Sequence, residues 1–93
     1  MQVKEAVAVA KNYVTELFGE EQIENISLEE IEYDEATASW LITVGFDRFK
    51  NVVAGGRVRI PVGVEKNYDY KVVRVSDSDG RVISVKNREF AIQ

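Results

Sequence analysis

The chain contains no cysteine and no histidine among its 93 residues. That removes disulfides, thiol nucleophiles, Ser-His-Asp and Cys-His arrangements, and the usual zinc ligands. A metal site would need oxygen ligands alone, and no cofactor is expected. No apolar run approaches the roughly 20 residues of a membrane span. Met1-Gln2-Val3-Lys4-Glu5 leads straight into an amphipathic pattern rather than an export leader. The expectation is a cytoplasmic protein with no membrane partner. Internal repeats, low-complexity tracts and linkers are absent too, and residues 1–93 read as one domain.

Hydrophobic residues make up 45% of the chain, nine of them aromatic, which is enough for a core. The net charge of −4 conceals an asymmetry. From Glu20 to Glu35 there are eight acids and no basic residue, whereas from Ala36 onward ten Lys and Arg face six acids. Such an acidic block reads as a solvated edge and loop.

Val3, Ala6, Val7, Ala10, Tyr13, Val14, Leu17 and Phe18 recur at spacings of three and four, predicting one helix over about 2–18. Small residues at positions 6 and 10 let it lie close on a sheet, and Gly19 is expected to end it in the left-handed conformation. Strands are predicted at about 26–34, 38–47, 67–76 and 81–88. Trp40, Ile42, Val44 and Phe46 share one face of the second, and Leu41 and Thr43 the other. The segment 49–64 reads as a β-arm or long loop between the second and third strands. Within it Gly55-Gly56 supports a two-residue turn, and Pro61 belongs at an edge or strand end.

In the last hairpin, Asp77 opposite Arg81 would set Val75 against Ile83 and Val73 against Val85, under the helix with Ile31 and Tyr33. Tyr70, Val72, Arg74, Val82, Ser84 and Lys86 would then face outward, and a one-residue slip would exchange the faces. The predicted architecture is α+β, with the N-terminal helix on one face of a four-stranded antiparallel meander.

The Ala6 and Ala10 helix, Gly19, the Tyr70-x-Val72 strand, the Asp77-x-x-Gly80 turn and the closing Val82 strand resemble the PepSY-like and cystatin-like group of small α+β domains. The resemblance implies a non-catalytic binding or inhibitory module. Cystatin-type inhibitors present a Gln-x-Val-x-Gly hairpin, and Val62-Gly63-Val64 supplies no equivalent.

Candidate chemistry is sparse. Asp77-Ser78-Asp79-Gly80 invites a calcium loop, but Val75 and Lys86 occupy the positions where the loop needs its first Asp and its closing Glu. It reads as a turn capped by Asp77. Glu30, Glu32 and Asp34 alternate on an exposed strand, where they deter edge pairing and lack the burial that acid–base work requires. The residues expected to bind a protein partner, or a second copy, are Leu41, Tyr68, Tyr70, Val72 and Val82 on the uncovered sheet face. The alternative is nucleic-acid contact through a basic arm of Arg48, Lys50, Arg57 and Arg59, with Phe49 among them, although an acidic chain disfavours it.

Overall fold

The computed structural model describes residues 1–54 and 60–88, and the side chains of these except 51–54 and 60–62. Helix α1 (Val3–Phe18) passes through a short 3₁₀ turn (Gly19–Glu21) into β1 (Ile23–Asp34). Strands β2 (Ser39–Ala54), β3 (Ile60–Ser76) and β4 (Val82–Asn87) follow. They form one antiparallel sheet in the order β1-β2-β3-β4, with α1 packed on one face, the predicted α+β meander.

Ala6, Ala10 and Val14 are fully buried along α1, against Ile42, Val44 and Phe46 of β2 and Val73 and Val75 of β3. The two alanines bring the helix backbone close to the sheet, as their spacing implied. Phe18 adds a tilted ring contact on Phe46 at 5.7 Å. Sixteen helical residues span about 24 Å, the length of about seven strand residues. The helix therefore shelters the sheet only from Trp40 to about Phe46.

Beyond that point β2 and β3 continue. The predicted arm is their uninterrupted extension, paired from Phe49↔Lys66 to Ala54↔Ile60. Because Ala54 pairs with Ile60, five residues connect the strands, so a two-residue Gly55-Gly56 turn is replaced by a longer connection. Pro61 sits at a register shift in this ribbon, where a ladder tolerates a missing N–H. The expectations placed on Gly55, Gly56, Arg57 and Arg59 lie outside the described residues.

Several local expectations are corrected. Gly19 is right-handed (φ −60°), and Gln22 takes the left-handed conformation (φ 50°) that turns the chain into β1. Ile31 and Tyr33 do lie on the helix side, opposite Ile42 and Trp40, but at the uncovered edge, 40% and 38% exposed. In the last hairpin Ser76, not Asp77, pairs with Arg81 across the turn, its N–H donating to the Arg81 carbonyl at 2.8 Å. Val75 then faces Val82, and a bulge at Ile83 restores the predicted Val73↔Val85 pair. Val82 consequently packs on the helix-side core, and Ile83 is half exposed. The turn is capped by Asp79, whose Oδ1 accepts the Arg81 N–H at 3.0 Å, and Gly80 supplies the positive φ of 70°. The Asp77 carboxylate instead accepts the Tyr33 hydroxyl, the Trp40 indole N–H and the Met1 amino group.

The close approach of α1 yields a direct test. Ala10→Leu should lower unfolding free energy by about 1–3 kcal/mol through overpacking. Ala8→Leu, on the exposed face of the same helix, should leave it within about 0.5 kcal/mol. Urea unfolding followed by circular dichroism separates the two.

Candidate functional site

The face of the sheet opposite α1 has no helix over it, but its own side chains cover much of it. Tyr68 of β3 lies across β2 and donates its hydroxyl to Glu29 Oε1 on β1 at 2.5 Å, with Ser27 Oγ at 3.0 Å. The ring passes over Gly45. A Cβ there would stand 2.8 Å from both Tyr68 Cζ and Glu29 Oε1, so the crossing requires glycine. The hydrogen bond from Tyr68 first, and that from Ser27 second, hold the Glu29 carboxyl below its ordinary range. The same carboxylate pushes the Tyr68 hydroxyl up.

Arg74 gathers the other end of the face. Its Nη1 donates to Ser39 Oγ and Thr37 Oγ1, each at 2.7 Å, and to Asp34 Oδ2 at 3.0 Å. Ser39 is fully buried in this network. Arg74, and then Thr37, depress the Asp34 carboxyl. Between the two clusters the Arg88 guanidinium lies over the Tyr70 ring at 5.3 Å and reaches Glu30 at 3.6 Å.

What remains open is a shallow basin of about 280 Å³. Leu41, Thr43 and Val72 form its floor, and Glu30, Glu32 and Arg88 its walls. Of the predicted partner-binding residues, Leu41 and Val72 thus lie together at its base, with Tyr70 beside them under Arg88. Tyr68 is tied to β1, and Val82 is on the opposite side of the sheet. The alternation of Leu41 with Tyr70 and Val72 was enough to find the floor. The walls come from separate strands, and their meeting was hidden in the sequence. A glycine in the middle of a strong strand was the one local sign that a side chain crosses there.

The basic arm is redistributed. Arg48 lies at the arm's base, paired with Glu21 and with Asp69 at 2.9 Å, and stacked over Phe18 at 5.4 Å. Those contacts leave Lys50 as the exposed cation among the described arm residues predicted for nucleic acid. A larger cleft of about 700 Å³ sits at this base, between the 3₁₀ turn and the ribbon, and charged side chains dominate it. Among the described residues no cluster of three or more acids is placed to hold a metal ion, and no helix is long and apolar enough to cross a membrane.

Compared with protein-family models, curated proteins and solved structures, the chain matches none.

Two outcomes follow from these clusters. Gly45→Ala should cost about 1–3 kcal/mol by displacing Tyr68. In a Tyr68→Ala background the same change should cost less, a non-additivity readable by urea unfolding. Asp34 is a carboxyl whose folded value is depressed, so its stabilisation is complete above the ordinary carboxylate range and disappears as pH falls through the folded value. The stability gap between wild type and Asp34→Asn should therefore be larger at pH 7 than at about pH 3.

Proposed function

We propose that the chain is a small non-catalytic module that binds protein, inhibitory or accessory in kind, through the outer sheet face around Leu41, Tyr70 and Val72. The basin carries the reading. An apolar floor framed by opposite charges has the plan of a protein interface, with an apolar centre and a polar rim. At about 280 Å³ it lies below the roughly 300–1,000 Å³ of small-molecule pockets and suits a partner's side chain better than a metabolite.

The carboxylates support the non-catalytic part. Glu29, Asp34, Asp77 and Asp79 are all held below their ordinary range by hydrogen bonds. A general acid working near neutrality requires the opposite displacement. The likeness to PepSY-like and cystatin-like domains points to the same class. The nucleic-acid alternative is weakened by the double pairing of Arg48.

Val72→Glu would place a carboxylate on the basin floor. Immobilised wild-type chain should capture a defined partner from its source cells, and Val72→Glu should lose it. Ser78→Glu, in the exposed turn, should keep it. If wild type and Val72→Glu, equally folded by circular dichroism, retain the same proteins, the reading fails.

A further inference from the structure

The arm is a two-stranded ribbon. Six residue pairs, from Phe49↔Lys66 to Ala54↔Ile60, run past the last pairings of the flanking strands, Ile23↔Arg48 and Lys71↔Asn87. The ribbon extends about 20 Å with neither edge paired among the described residues. A lone two-stranded ribbon is marginally stable in water at best. Val64 on it is 63% exposed.

Strand β1 has a complementary lack. Its outer edge pairs with no described strand, and Glu30–Asp34 keeps regular register with Thr43–Ser39. Leu28, Ile31 and Tyr33 line its helix side at 38–40% exposure. Glu24, Glu32 and Glu35 make no ion pair among the described residues.

The charges on the two features are opposite. Beyond Arg48, the stretch 49–66 carries Lys50, Arg57, Arg59 and Lys66 against Glu65 alone, and five of its residues are valine. Pairing β1 with β1 would oppose acids to acids, and pairing arm with arm would oppose cations to cations. The arm on β1 joins unlike charges and gives both free edges a partner by strand addition.

We propose that the arm of one copy lies along the free β1 edge of a second copy, with the exchange reciprocated about a two-fold axis. The basic, valine-rich ribbon covers Leu28, Ile31 and Tyr33, and its cations face Glu32 and Glu35. This surface is separate from the outer basin, and the inference stands or falls independently of the partner proposed there.

Sedimentation of the full chain tests it, using a β1 reversal (Glu32→Lys with Glu35→Lys) and an arm reversal (Lys50→Glu, Arg57→Glu and Arg59→Glu). Wild type should form a dimer, and each reversed variant alone should associate at least about tenfold more weakly. Mixed one to one, the two variants should regain the dimer, because each reversed arm then meets a reversed edge. A wild type that stays monomeric across the micromolar range overturns the proposal. So does a dimer indifferent to either reversal, or a mixture that does not associate. Should a variant fail to fold, salt decides with wild type alone. Dissociation should rise at least about tenfold between roughly 20 and 500 mM salt, and a salt-independent dimer is the contrary result.

Discussion

A helix of about 24 Å shields about seven residues of strand, and β2 and β3 are 16 and 17 residues long. That mismatch organises the molecule. Where α1 lies, Ala6, Ala10 and Val14 close on Ile42, Val44, Phe46, Val73 and Val75, and all eight are fully buried. Where α1 ends, the apolar core ends, and the ladder continues as a ribbon held mainly by backbone hydrogen bonds. Arg48 marks the boundary. It is pinned between Glu21 at the end of the helix and Asp69 on β3, so the last turn of helix and the root of the arm are fixed to each other.

The opposite face solves a different problem. A sheet with one covering helix exposes its other side, and antiparallel sheets ordinarily meet water there with alternating polar residues. Here long side chains are laid across the strands. Tyr68 crosses β2 over Gly45 to reach β1, Arg74 binds the β1–β2 turn, and Arg88 spans from beyond β4 to Glu30. Each bridges strands distant in sequence, so the outer surface adds lateral ties to a chain with a small core. The apolar floor left between them is the part of the face not committed to the fold.

The sequence made the helix, the four strands and their order legible, because periods of 3.6 and 2 are strong over Val3–Phe18 and Trp40–Phe46. The Val73↔Val85 pairing was legible as well. The neighbouring Val75 contact was not, since one turn residue shifted the pairing and a bulge at Ile83 shifted it back. Both features depend on hydrogen bonds of Ser76 and Asp79 that hydropathy does not encode. That detail moved Val82 to the core. Likewise Leu41 and Val72 could be placed on the outer face from alternation alone. Tyr68 could not be recognised as tied down, because its partners Ser27 and Glu29 sit near bulges of an irregular strand. The lengths of β2 and β3 were underestimated because Gly63 and Pro61 read as breaks, whereas a ribbon edge accommodates both.

The central claim is that stability is concentrated where the helix covers the sheet. Residue-resolved amide hydrogen exchange in dilute solution, below any self-association, addresses it most directly. The account predicts the slowest exchange at Ile42–Phe46 and Val73–Val75, and exchange faster by orders of magnitude at Phe49–Val53 and Gly63–Lys66. Uniform protection along the whole of β2 and β3 would contradict it, since the ribbon would then share the stability of the core without any covering layer.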